Sequence, residues 1–209
     1  MKKFKKEYLV AALFLIMFII LTIFVKLGKM DGIDKIVFDN VIRLKSDGMT
    51  KFMYMVTTLA STKFVIAITL IIAIILLIKK KYMNIAYVVL GVGSGALSMK
   101  VIKEIIKRPR PEWKWAVETG YSFPSGHTIS SYMLYGVISL LLLNRVNKKW
   151  KFPVVIGLMI LVLLIGLSRI YLGVHYFSDV LGSILLGTCY LSIFNIFISK
   201  DNNAKNKNK

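Results

Sequence analysis

An all-α, polytopic membrane protein, a six-transmembrane-helix bundle with N- and C-termini cytoplasmic, is the architecture this chain predicts. Three observations carry that expectation. Of 209 residues, 56% are hydrophobic, and the mean hydropathy is +0.68, far above ordinary globular composition. The apolar residues gather into six runs near the length that crosses a bilayer. The short segments between the runs carry Lys and Arg on alternate sides. The 29 basic residues against 10 acidic ones give a net charge of +19, which in a soluble chain would suggest a nucleic-acid partner. Here the cations flank apolar runs, so membrane lipids and phosphate are the expected counterparts and no nucleic acid is.

The first span covers about 8–25. It has the position of a secretory leader, but such a run spans only about 7–15 residues and ends in small residues at a cleavage site. Lys26-Leu27-Gly28-Lys29 provides none, so the span is expected to remain uncleaved. In the loop of about 26–51, Ile33, Ile36, Val37, Val41 and Leu44 recur at helical spacing and predict a short interfacial helix. The second span, about 52–78, is divided by Lys63 and is expected as one long, bent helix with Lys63 reaching the interface. The third covers about 82–106. Its Gly91-Val92-Gly93-Ser94-Gly95 is glycine-rich like a phosphate loop, but no Gly-Lys-Ser/Thr follows, and Gly91 and Gly95 suit close helix packing instead. The remaining spans are about 128–144, 153–168 and 176–198. With the N-terminus inside, the cytoplasmic segments hold Lys2, Lys3, Lys5 and Lys6, then Lys79, Lys80 and Lys81, then Arg145, Lys148, Lys149 and Lys151. Residues 1–199 thus form a single transmembrane domain, and the polar 200–209 is expected to be a disordered cytoplasmic tail. Cys189, the sole cysteine, has no partner for a disulfide or metal site and reads as a small packing residue.

One external loop opposes this charge pattern. Between 100 and 114 the chain carries Lys100, Lys103, Lys107, Arg108, Arg110 and Lys114, where topology favours few cations. The topology also brings every chemically suggestive residue to one membrane face. Lys103 and Arg108-Pro109-Arg110-Pro111 end the third span, and Pro124-Ser125-Gly126-His127 begins the fourth. Ser168-Arg169 ends the fifth, and His175 with Asp179 begins the sixth. Singly, these are ordinary helix stops, caps and interfacial side chains. Jointly they describe a phosphate site. Lys103, Arg110 and Arg169 supply cations, two with a guanidinium fork that matches phosphoryl oxygens. The amides around Ser125 and Gly126 open a helix N-terminus, and the Ser125 hydroxyl is a further donor. His127 and His175 are the chain's two histidines. Asp179, four residues beyond His175, shares its helix face and can hold the imidazole N–H, leaving the other nitrogen as a nucleophile. His127 then protonates the leaving oxygen and activates water.

The set resembles the type 2 phosphatidic acid phosphatases, which share their site with vanadium haloperoxidases. The matching blocks are Lys103, six residues, Arg110-Pro111; Pro124-Ser125-Gly126-His127; and Ser168-Arg169, five residues, His175, three residues, Asp179. The resemblance implies a metal-independent hydrolase without cofactor. His175 would be the nucleophile, Asp179 its orienting partner and His127 the acid and base, with Lys103, Arg110, Ser125, Gly126 and Arg169 binding phosphate. Lys100, Lys107 and Arg108 take supporting roles, as headgroup contacts. The expected setting is the cell membrane, with the active site on the extracytoplasmic side and a lipid phosphate as substrate. Undecaprenyl pyrophosphate is the favoured substrate. Phosphatidylglycerophosphate, phosphatidic acid and diacylglycerol pyrophosphate are the alternatives. The motif specifies the phosphoryl group and leaves the lipid tail and oligomeric state open. Two other classes compete: a non-catalytic lipid-binding or transport protein, and a haloperoxidase-like oxidation with bound vanadate. Trp113, Trp115, Tyr121 and Phe123 are expected as interfacial anchors or as the lining of a lipid entrance.

Overall fold

The computed structural model describes residues 5–143 and 147–207, apart from the side chains of Lys148 and of 202–207. Among the topology-setting cations, Lys2, Lys3 and Arg145 lie outside the described residues. Eight helices follow one another within the described residues: α1 (Lys5–Lys26), α2 (Asp31–Ile42), α3 (Asp47–Thr58), α4 (Thr62–Ile78), α5 (Tyr82–Ile106), α6 (Gly126–Leu142), α7 (Lys148–Tyr171) and α8 (Phe177–Lys207). Four helices, α1, α5, α7 and α8, are long and apolar enough to cross a membrane, and α3 with α4 makes a fifth if that bent pair is one span. α8 runs on to Lys207, into the polar segment expected as a tail.

The expected long second span is two helices meeting at 45°. The cause is local. Ser61 adopts an extended backbone and its hydroxyl accepts from the Phe64 N–H at 3.3 Å, starting a new helix where the old one would otherwise continue. Lys63 is exposed at that start.

α6 is the centre of the bundle, packed against α5, α7 and α8, while α1 lies along α8. Its contact with α5 depends on glycines. A methyl group at Gly91 would lie 2.7 Å from Val137 Cγ2, and one at Gly95 2.7 Å from Met133 Cγ, so the side chains of α6 occupy the space the glycines leave. Val88, Ile129, Met133 and Val137 are completely buried at this seam. The outward faces of α1, α4 and α7 are the reverse. Ile16, Ile20, Leu70, Ile74, Ile160 and Leu163 are all exposed, as a surface solvated by lipid requires.

α2 forms where the apolar spacing places a helix, but it docks by a different face. Ile33 and Ile36 point outward, and the side turned to the protein carries Asp34 and Phe38. The expected aromatic anchors also turn inward. Phe123 is fully buried and stacks on Phe18, Trp113 stacks on Phe38, and Trp115 donates to the Tyr171 carbonyl at 3.1 Å. These contacts pin the loop between α5 and α6 over the end of the bundle.

Candidate active site

Helix ends and one loop build the site. α5 stops at Lys107, whose left-handed backbone (φ 51°) lets its N–H return to the Lys103 carbonyl at 2.9 Å. The prolines of Arg108-Pro109-Arg110-Pro111 then hold the chain extended across the bundle end. α7 ends after Arg169, and Gly173, at φ 67°, reverses the chain so that His175 folds back over it. The His175 N–H bonds to the Arg169 carbonyl at 3.3 Å. On the far side, the Ser125 N–H donates to the Asp179 carbonyl at 3.2 Å, holding the start of α6 against the start of α8.

A cavity of about 330 Å³ opens between these ends, and Lys103, Arg110, Gly126, His127 and His175 all line it. Arg110 Nη1 lies 3.2 Å from His175 Nε2 and donates to the Val174 carbonyl at 2.8 Å, while Nη2 and Nε reach the carbonyls of Thr119 at 2.8 Å and Gly120 at 3.0 Å. Lys103 Nζ donates to the Tyr121 and Ser122 carbonyls. His175 is buried, with Nδ1 3.2 Å from Asp179 Oδ2. With Nδ1–H given to the carboxylate, Nε2 keeps its lone pair on the cavity side. Burial first, then Arg169, Arg110 and Lys103, hold the His175 pKa well below its ordinary value of 6.5, so the ring is neutral at neutral pH. The His127 ring lines the cavity and has no hydrogen-bond partner among the described residues.

Three placements differ from expectation. Ser125 is fully buried and its hydroxyl caps α6, accepting from Thr128 N at 3.4 Å and Thr128 Oγ1 at 3.0 Å. Its backbone N–H is likewise engaged, so the free amides at this helix start are those of Gly126 and His127. Arg169 lies beneath the cavity wall, donating to Thr57 Oγ1 at 2.8 Å and to the Glu118 carboxylate. Arg108 is no headgroup contact. It is 7% exposed and bonded between Asp34 and Asp179, whereas Lys100 and Lys107 are exposed.

Two acids at the site carry no signal in the sequence. Glu118 lines the cavity, pairs with Arg169 and stands 3.8 Å from Arg110 Nη2. Burial pushes its pKa up, but Arg169, His127 and Arg110 together outweigh burial and hold it below the usual carboxylate value. Asp34 is buried against Arg108 and Ser178. Neither belongs to a recognisable spacing, and a lone acid in a loop gives no signal of its partner.

The sequence profile of the PAP2 superfamily matches residues 81–203. The chain belongs to the PAP2 superfamily. Phosphatidylglycerophosphatase B of Bacillus subtilis is 31% identical over 173 residues, covering 81% of this chain and 85% of that relative. The crystal structure of a transmembrane PAP2-type phosphatidylglycerolphosphate phosphatase from Bacillus subtilis superposes with a TM-score of 0.85 at 28% identity, covering 91% of this chain and 96% of that one. LpxE of Aquifex aeolicus shares the fold, with a TM-score of 0.61 at 22% identity over 78% of this chain and 93% of that one. This PAP2 chain is accordingly an integral-membrane hydrolase, a phosphatase of the lipid-phosphate type.

Proposed function

We propose that the chain is a phosphatidylglycerophosphate phosphatase that works through a phosphohistidine on His175 at the extracytoplasmic membrane face. The observation that carries the reaction is the His175–Asp179 pair at the wall of a cation-lined cavity. His175 Nε2 attacks phosphorus while the bond to the glycerol oxygen breaks, and His127 gives that oxygen its proton. His127 next takes a proton from water, the resulting hydroxide attacks phosphorus, and the bond to Nε2 breaks, releasing inorganic phosphate. Lys103, Arg110 and the amides of Gly126 and His127 stabilise the equatorial oxygens during both transfers, and Arg169 adds its charge from beneath the cavity wall, where it holds Glu118. Ser125 supports binding indirectly, by capping the helix that presents those amides.

The substrate assignment rests on likeness to the Bacillus subtilis enzyme, and this favours phosphatidylglycerophosphate over undecaprenyl pyrophosphate, the lipid preferred from sequence. The topology proposed is six spans, with α3–α4 as one and α6 as another. α6 has 17 residues, a length of about 25 Å at 1.5 Å per residue, near the ~30 Å of the hydrocarbon core. Its central place among longer helices supports that reading, as does the basic character of Lys79, Lys80, Lys81, Lys149 and Lys151 on the opposite side from the cavity.

Phosphate release by the purified protein from phosphatidylglycerophosphate, phosphatidic acid, diacylglycerol pyrophosphate and undecaprenyl pyrophosphate tests the substrate. The highest kcat/KM is expected for phosphatidylglycerophosphate, unchanged by EDTA. A highest value for undecaprenyl pyrophosphate overturns the assignment, and full hydrolysis by His175→Ala overturns the mechanism.

A further inference from the structure

The polar structure behind His175 extends well past its carboxylate partner. Asp179 uses Oδ2 for His175 and for the Tyr176 N–H at 3.0 Å, and Oδ1 for Arg108 Nη1 at 2.9 Å. Arg108 Nη2 continues to Asp34 Oδ2 at 2.7 Å, and Nη1 also reaches Ser178 Oγ at 2.7 Å. Asp34 accepts in addition from the Ser178 N–H at 2.8 Å and the Ser178 hydroxyl at 2.7 Å. The guanidinium lies 3.8 Å over the Tyr176 ring. The side chains of Asp34 and Asp179 have no exposed surface, and Arg108 retains 7%. Asp31 also meets Arg108, at 3.4 Å, but is 70% exposed and screened by water.

A buried ion cluster is weak evidence for stability, because desolvation of its members offsets their attraction. Its arrangement here has two chemical consequences. One guanidinium grips one oxygen of Asp179, so that the other oxygen faces His175 Nδ1 in a single orientation. Burial opposes the charge on Arg108, yet Asp179 and Asp34 outweigh that penalty and raise its pKa, so it stays cationic. Alone, Arg108 would cancel the Asp179 charge. When both carboxylates are ionised, the second one, on Asp34, leaves the cluster one net negative charge against the single guanidinium. The imidazole becomes cationic when Nε2 is phosphorylated with Nδ1–H retained, and that is the charge the cluster complements.

We infer that Arg108 and Asp34 are positioning residues for the nucleophile: Arg108 orients Asp179, and Asp34 restores the negative charge that stabilises the phosphorylated His175 ring. The inference rests on the reading of His175 as nucleophile. It also assigns α2 a role, since Asp34 is that helix's buried link to the site.

Purified full-length Arg108→Gln, Asp179→Asn, the double variant, Asp34→Asn and Arg108→Lys, each checked by thermal melting, are compared in steady-state turnover and in the rate of phosphoenzyme formation. Asp179→Asn lowers kcat by roughly 10³- to 10⁴-fold, as loss of an orienting carboxylate does. Arg108→Gln lowers kcat by roughly 10- to 100-fold with KM within about twofold. The double variant is no slower than Asp179→Asn within about threefold, because Arg108 acts through Asp179. Asp34→Asn keeps the side-chain size, removes the charge, replaces one of the two accepting oxygens with a donor, and lowers kcat by about 3- to 10-fold at unchanged KM. Multiplicative losses in the double variant, or a raised KM at normal kcat, overturn the inference. Where Arg108→Gln does not fold, Arg108→Lys and Asp34→Asn decide: both slow phosphoenzyme formation, and wild-type rates in folded Asp34→Asn overturn the proposal. Activity in His175→Ala defeats the underlying mechanism instead, so the two failures are told apart.

Discussion

The two sides of the cavity are built on opposite plans. On the nucleophile side, His175, Ser178 and Asp179 are buried, and each polar side chain is held by another buried group. On the phosphate side, Lys103, Arg110 and Glu118 project from a helix end and a loop, and the two cations bond chiefly to backbone carbonyls. The first arrangement leaves His175 one orientation before any substrate arrives. The second offers cations whose present acceptors a phosphoryl group can replace at similar geometry. In the proposed mechanism, precision is concentrated where the bond to His175 would form, and adaptability where the anion would enter and leave.

The contrast is broken most directly at the histidines. His175→Ala is expected to abolish turnover and phosphoenzyme labelling, while His127→Ala lowers kcat by roughly 10²- to 10⁴-fold. Rapid-quench trapping of phosphoenzyme separates the two, because a slowed second step lets label accumulate. Next, Arg169→Lys keeps a charge but loses the fork that now spans Thr57 and Glu118. It should reduce kcat/KM by about 10- to 100-fold, measured on phosphatidylglycerophosphate. A smaller change is expected on the adaptable side. Glu118→Gln removes a negative charge from among Arg110, Arg169 and His127, so KM falls by about two- to fivefold while kcat holds. A collapse of kcat in this variant would place Glu118 with the chemistry. The gentlest probe is pH. Because His175 titrates below its ordinary value, it remains unprotonated and nucleophilic as pH falls from 7.5 to 6.5. The acid limb of kcat/KM is then expected below about pH 6.5, and a midpoint above that contradicts a buried, cation-flanked nucleophile.

Both plans differ in how much of them can be read from the chain. Lys103, Arg110, Gly126, His127 and His175 meet at one cavity, as the helix-end topology predicts. The i,i+4 spacing of His175 and Asp179 also appears as a direct contact. These relations are short in sequence or follow from span order. A serine before a helix can cap it or donate outward, and only the neighbouring Thr128 and the Asp179 carbonyl show that Ser125 caps α6. The polar stretch around Ser61 and Lys63 marks a bend in the sequence, but only the Ser61 cap on Phe64 N–H decides that two separate helices meet there.

Composition, run length and motif spacing were sufficient for an all-helical membrane protein of the PAP2 superfamily and for the cavity's principal residues, since each depends on local periodicity or on which membrane face a helix end occupies. The Asp34–Arg108–Asp179 cluster and the pairing of Glu118 with Arg169 belong to the tertiary structure alone. Asp34 meets Ser178 across 144 positions, and Arg169 meets Glu118 across 51. An isolated acid in a polar loop looks solvated in sequence. It becomes a buried partner only when helix packing excludes water and leaves a guanidinium beside it.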